Sequence, residues 1–133
     1  MLDVTALNPP AKGFLTVYNA DSGDPGIATV GLRASGVLNE QTTTVPVSGA
    51  DKVSLTNHSS GSLDVVASVV GYYTSAGATA AGDTYFGLPW SAIANTTTGL
   101  NVPQAQIPAG GSLSSRSREG AGSRPGPILL CFR

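Results

Sequence analysis

Apolar residues recur at every second position in a series of short runs: Leu15 and Val17 in "KGFLTVY", Ala28, Val30 and Leu32 in "IATVGLR", Val45 and Val47 in "TTTVPV", and Val53 and Leu55 in "KVSLT". A period of two puts them on one face of an extended chain, so each run predicts a strand with one buried side. The run "LDVVASVVGYY" differs. There Leu63, Val65, Ala67 and Val69 alternate with Asp64, Val66, Ser68 and Val70, both faces are largely apolar, and a central strand is predicted. Between the runs lie "NADSGDPG", "NEQT", "SGAD" and "NHSSGS", rich in the residues that turns need for positive φ or side-chain caps. No segment holds a helical period over three turns. Short strands about ten residues apart are the signature of an all-β sandwich or barrel, and the fold expected of this chain is an antiparallel β-sandwich of jelly-roll-like type.

Composition narrows the class. With 133 residues there is room for one domain. Only 11% of residues are charged and the mean hydropathy is slightly positive, which excludes a disordered polyelectrolyte. The charges are unevenly placed: residues 1–115 hold Lys12, Arg33 and Lys52 against seven acids, whereas 116–133 hold Arg116, Arg118, Arg124 and Arg133 against Glu119. An acidic body does not suit phosphate tracking, which needs clustered Lys and Arg. A lone Cys131 excludes an internal disulfide framework and a cysteine-based zinc site. No run of 18 apolar residues predicts a membrane-spanning helix, and "MLDVTALNPP" lacks the charged and apolar regions of a secretory signal.

The order of these runs, from "ALNPPAKGFLTVYNADSG" to "SLDVVASVVGYYTS", resembles a β-module found, often in tandem, in secreted proteins of high-GC actinobacteria. Such modules run from "LNVT" through "GYLTVYP" and "TVPNLVTVPVG" to "GKVTLYNSSGSTDVIADVAGYY"; residues 2–5, 13–18, 43–47, 52–57 and 64–73 stand at the matching places. In tandem copies a small-residue linker follows, then an opening like "PSRIADTRTGLGVP" and "AGGSLTVQVAG", and this chain has "PWSAIANTTTGLNVPQAQIPAGGSL". The resemblance therefore implies the latter part of one module at 1–74, a linker at 75–87, the opening of a second copy at 88–114 and a disordered basic tail at 115–133. If the second opening fills the place of the missing first one, a single permuted sandwich closes; otherwise exposed strand edges favour self-association. Where the family's opening carries Arg, Asp and Arg, this chain has Ala92, Asn95 and Thr97 and loses that charged contact. A GC-rich back-translation of 115–127, read one base earlier, gives Val-Gln-Val-Ala-Gly-Gly-Gly-Gly-Val-Pro-Ala-Gly-Ala, so the tail is expected to be out of frame and the chain a fragment of a longer gene.

Candidate chemistry is sparse. His58 has no second histidine and no nearby cysteine, so it reads as a turn residue and not as a metal ligand or triad member. "DSGDPG" lacks the ligand spacing and closing Glu of a calcium loop and reads as a turn in which Asp21 or Asp24 bonds the backbone. No nucleophile elbow, zinc-protease motif or phosphate loop occurs, and the body's acids are scattered singly. Neither an enzyme, a cofactor nor a metal is expected, and the sequons at Asn57 and Asn95 read as chance. Among the aromatics, Phe14 and Tyr73 are expected in the core, with Tyr85, Phe86 and Trp90 plugging the join between copies; a sugar-stacking platform of Trp90, Tyr85 and Tyr72 is the competing reading. The resemblance implies an extracellular or cell-surface setting and a non-catalytic role as spacer or weak cell-envelope glycan binder. Its expected partners are cell-wall polysaccharide or neighbouring domains of a parent protein. The alternative is a basic-tailed protein whose Arg116, Arg118 and Arg124 touch an acidic surface or, less in keeping with the acidic body, nucleic acid.

Overall fold

The computed structural model describes residues 1–33, 38–74 and 84–116. Eight strands form: β1 (Leu2–Leu7), β2 (Gly13–Asn19), β3 (Val30–Leu32), β4 (Asn39–Thr43), β5 (Lys52–Asn57), β6 (Asp64–Thr74), β7 (Thr84–Asn95) and β8 (Ser112–Arg116). They pair antiparallel into two four-stranded sheets, ordered β4-β1-β6-β7 and β3-β2-β5-β8. The described residues contain no helix.

The expected period of two selects the core. Leu2, Val4 and Ala6 of β1, Leu15 and Val17 of β2, Val30 and Leu32 of β3, Val53 and Leu55 of β5, and Val65, Ala67 and Val69 of β6 are all buried between the sheets. Leu113 of β8 stands opposite Leu55 and joins the same core, as does Ile93 of β7. The run "LDVVASVVGYY" becomes β6, flanked by β1 and β7, so the expected central position is the observed one.

Numbering β7 and β8 as the first two strands and β1–β6 as the third to eighth turns the sheet orders into 6-3-8-1 and 5-4-7-2. That is the double-sheet jelly roll of eight strands, permuted by two. Residues 84–95 and 112–116 thus complete the sandwich begun by the first six strands, β7 covering the edge of β6 and β8 the edge of β5.

Several local expectations are corrected. "NEQT" is no turn: Asn39–Thr43 form β4, paired with β1 from Leu2↔Thr43 to Ala6↔Asn39. An edge strand with one neighbour can leave Glu40, Gln41 and Thr42 in water, so it carries no apolar alternation. The strand expected in "TTTVPV" ends at Thr43, which faces Leu2, the first residue of its partner β1; Val45 packs partly on the core and Val47 is exposed. β3 starts at Val30, leaving Ala28 exposed. Thr84 to Gly87, expected in the linker, belong to β7, and Ser115 and Arg116, expected in the tail, belong to β8, where Ser115 pairs with Val53 and is buried. Residues 75–83 and 117–133, and with them the remaining linker and tail expectations, lie outside the described residues.

One buried amide ties the late segment to the early one. Asn57, fully buried at the end of β5, donates through Nδ2 to the carbonyls of Gly61 (2.8 Å), Ile107 (3.0 Å) and Pro108 (3.1 Å). Its Oδ1 accepts from the Ser59 N–H at 3.0 Å and the Ser59 hydroxyl at 2.7 Å. Nearby, the Thr96 hydroxyl accepts from the Val65 N–H and donates to Asp64, whose other oxygen accepts from Gln106. The Asn57 cluster satisfies carbonyls of the loops before β6 and β8, and the Thr96 cluster ties the segment after β7 to the start of β6.

Candidate functional site

β6 runs on for five residues past Val69, its last residue in the β1 register; Met1 still reaches it, accepting from the Val70 N–H at 3.2 Å and donating through its amino group to the Gly71 carbonyl, and from Tyr72 onward only β7 accompanies it among the described residues. In this two-stranded ribbon Gly71 faces Gly87, Tyr72 faces Phe86, Tyr73 faces Tyr85 and Thr74 faces Thr84. Successive residues of a strand point to opposite faces. Tyr72 and Phe86 therefore share one face, their rings stacked at 5.4 Å and 21°, while Tyr73 and Tyr85 share the other at 5.2 Å and 49°. These are cross-strand aromatic pairs of the kind that stabilise hairpins. All four rings remain 39–51% exposed, in contrast to the buried apolar residues of the same strands.

Two irregularities set the ribbon apart. Between Val69↔Ser91 and Gly71↔Gly87, β6 advances two residues and β7 four, so Leu88, Pro89 and Trp90 bulge opposite Val70. Pro89, lacking an N–H, is suited to such a bulge on an edge strand. Beyond it Tyr85 lies against the backbone of Gly71, its hydroxyl donating to the Val70 carbonyl at 3.3 Å. A Cβ at position 71 would stand 2.3 Å from the Tyr85 hydroxyl oxygen, so glycine is what seats the ring there.

The core-and-plug expectation for these aromatics is corrected: Tyr73, Tyr85 and Phe86 are exposed, and Phe14 is only half-buried. Of the platform residues, Tyr72 and Tyr85 lie on opposite faces, each partnered by a residue outside that trio. Trp90 lies in the bulge, and its side chain falls outside the described residues. Arg116 ends β8 opposite Lys52, its side chain likewise outside them, as are Arg118 and Arg124 altogether.

The other candidate groups form structural contacts. His58 Nε2 meets Asp24 Oδ2 at 2.9 Å and the imidazole stacks on Phe14 at 4.6 Å, which pins the 20–29 loop across the outer face of β2 and β5. Partial burial pushes the Asp24 carboxyl up, but the Gly26 amide, the Thr56 hydroxyl and His58 outweigh it and hold the group below the usual carboxylate range. Asp21 accepts from the Gly49 N–H at 2.8 Å and Asp24 from the Gly26 N–H at 2.9 Å, so both aspartates of "DSGDPG" cap backbone, as a turn requires. The Thr16 hydroxyl, on the same face of β2, is buried without a hydrogen-bond partner.

The strands also create a pair that sequence distance hid. Antiparallel pairing of β1 and β4 sets Asp3 diagonal to Glu40, and a hydrogen bond with Asp3, with its charge, raises the Glu40 carboxyl. Asp3 also accepts from the Thr42 hydroxyl at 3.3 Å. Glu40 stands in open solvent at the sheet edge, whereas Asp3 beside it is buried. Among the described residues no three His, Cys, Asp or Glu side chains gather as a metal site would require, and no helix is long and apolar enough to cross a membrane. No family model, curated protein or solved structure matches the chain.

Proposed function

We propose that this protein is a non-catalytic β-sandwich module that binds neutral saccharide weakly through the β6–β7 ribbon, in the secreted or cell-surface setting that the resemblance to actinobacterial modules implies. The observation that carries the reading is the set of four exposed aromatic rings held in two cross-strand pairs. Tyrosine and phenylalanine faces stack on the C–H faces of pyranose rings while the phenol hydroxyls stay wet. Residues 65–74 and 84–95 contain no Asp, Glu, Lys or Arg, which suits an uncharged ligand.

Area and edge chemistry favour a small partner surface. At about half exposure a ring offers on the order of 100 Å², so one face presents roughly 200 Å². A stable protein partner needs about 800 Å² per side. Strand addition along β7 is opposed by Pro89 and the bulge around it.

The test is retention of the full chain on insoluble cellulose, chitin and purified cell-wall polysaccharide, beside phosphatidylcholine vesicles. Retention on a glycan, reduced at least fivefold in Tyr72→Ala/Phe86→Ala/Tyr73→Ala/Tyr85→Ala, is expected. Equal retention of both proteins leaves a spacer role, and capture by the vesicles alone assigns the ribbon to a membrane surface. A second reading draws on the β5–β8 register, which sets Lys52 beside Arg116: basic residues at this edge touch an acidic partner. It requires DNA retention that falls as salt rises and is lost in Lys52→Gln/Arg116→Gln.

A further inference from the structure

We propose that the β6–β7 ribbon is bivalent: its two faces are separate subsites that hold two neutral saccharide chains at once, so that one protein molecule bridges polysaccharide strands. This rests on the saccharide reading above and adds a stoichiometry and a consequence to it.

The argument starts from what a β-sandwich ordinarily permits. Within the sandwich, the inner face of β6, with Val65, Ala67 and Val69, is closed by the opposing sheet, so a platform there could use the outer face alone. Past Val69 the strand keeps its alternation, and beyond Gly71, whose carbonyl accepts from the Met1 amino group, it has no neighbour on the β1 side among the described residues. Gly71 and Tyr73 continue the inner-face series, yet Tyr73 is 51% exposed and Tyr85 beside it 43%, so that face is open to solvent. The outer-face pair, Tyr72 at 39% and Phe86 at 44%, is equally open. Each face thus presents two aromatic rings of matching exposure, with the ribbon backbone between them.

Each pair is also preorganised by its own contacts. Tyr72 and Phe86 stack on one another across the strands. Tyr85 rests on Gly71, is fastened through its hydroxyl to the Val70 carbonyl and leans on Tyr73. None of these contacts crosses the ribbon, so occupying one face leaves the other in place. A pyranose stacked on one face is separated from one on the other by the ribbon's thickness, which removes steric conflict between the two chains. A ligand recognised by a single face would leave the second pair of rings exposed to water without a role.

The experiment uses the full-length protein, shown monomeric by light scattering, with cellohexaose and chitohexaose as soluble probes and hydroxyethyl cellulose as the polymer. Titration calorimetry and NMR shift mapping are expected to give two hexasaccharides per chain. Tyr72→Ala/Phe86→Ala and Tyr73→Ala/Tyr85→Ala should each fall to one, with circular dichroism unchanged. Wild type should raise the viscosity of the polymer solution or precipitate it, whereas both single-face variants should stay bound to an affinity gel of that polymer without cross-linking it. One hexasaccharide per chain in the wild type, or cross-linking that survives in either variant, overturns bivalence and leaves the saccharide site standing. Loss of all binding in one single-face variant does the same and assigns the site to that face. Absence of binding to every probe by the wild type overturns both proposals.

Discussion

Replacing Asn57 by aspartate exchanges one NH₂ for one oxygen at a fully buried position, and its cost follows from the five contacts of that side chain. The amide has two N–H donors, so its three carbonyl acceptors at 2.8, 3.0 and 3.1 Å share them, one bond being bifurcated. Aspartate retains the oxygen that accepts from Ser59 and turns its other oxygen on the carbonyls of Gly61, Ile107 and Pro108. Losing two donated bonds costs about 1 kcal/mol each, and the unpaired buried carbonyls and an uncompensated charge add a few more, for a total of about 4 kcal/mol. Against a stability of roughly 5–15 kcal/mol this is a large fraction. The pH dependence has a definite sign. Burial beside carbonyls raises the folded-state pKa of the new carboxyl, so the variant is least destabilised below the unfolded carboxylate value, about pH 4, and loses stability as pH rises. Asn95→Asp is the control, because Asn95 uses only Oδ1, accepting from the Thr97 and Thr98 N–H groups, a task aspartate performs as well. Urea unfolding at pH 7 should show a midpoint drop for Asn57→Asp with unchanged slope, and a shift under about 0.5 kcal/mol for Asn95→Asp. Equal effects for the two, or an Asn57→Asp loss below 1 kcal/mol, would refute this account of the amide.

Two further perturbations probe other parts of the chain. Leu113→Ala removes a fully buried side chain opposite Leu55 and should cost about 3 kcal/mol in urea unfolding; a cost below 1 kcal/mol would mean that β8 does not complete the core. The Asp24 carboxyl should titrate below the usual carboxylate range in a carbon-detected NMR series and move upward in His58→Ala, because His58 favours its charged form. Its lowered pKa contributes stability that is present above the unfolded carboxylate value and fades as pH falls through the folded one; an unchanged titration in His58→Ala removes His58 from that role.

How much of this was legible in the sequence depended on which force placed each residue. Buried positions such as Leu15, Val17, Val53, Leu55 and the alternating half of β6 obey the two-residue period because the opposing sheet demands apolar side chains there. β4 escaped because an edge strand with an exposed outer face has no such demand: of Asn39–Thr43 only Asn39 is buried, and its side-chain oxygen accepts from the Arg33 N–H. β7 escaped in part because its phase is broken twice. A first irregularity near Ile93 inserts one residue and lets Ile93 and Ala94 both turn inward, and the second inserts two around Pro89. Which aromatics share a face depends on that register, so Tyr72 and Tyr85 could be grouped by composition while Phe86 and Tyr73, their true partners, could not. The diagonal approach of Asp3 and Glu40 depends in the same way on a β1–β4 pairing that polar residues do not announce.

The permuted strand order explains why the ribbon can exist at all. In the jelly-roll numbering β6 is the last strand and β7 the first, and they are neighbours in one sheet. An unpermuted chain would begin and end there, side by side; joining such ends by a connection costs little, since adjacent surface termini are where permutation is tolerated. A hairpin made in this way carries no obligation to return the chain to another sheet, and its length is not set by the span of the sandwich. β6 and β7, at 11 and 12 residues, are accordingly the two longest strands, and their excess over β1, at six, protrudes as the aromatic ribbon. The core is held by residues nearer the middle of the fold, so the ribbon's surface is free to change without loss of the sandwich. Stability and binding therefore separate along the chain. Leu113→Ala should weaken saccharide retention only in proportion to the fraction unfolded, whereas the fourfold aromatic variant, which loses two cross-strand pairs of half-exposed rings, should lower the unfolding free energy by about 2 kcal/mol, remain folded and still reduce retention at least fivefold.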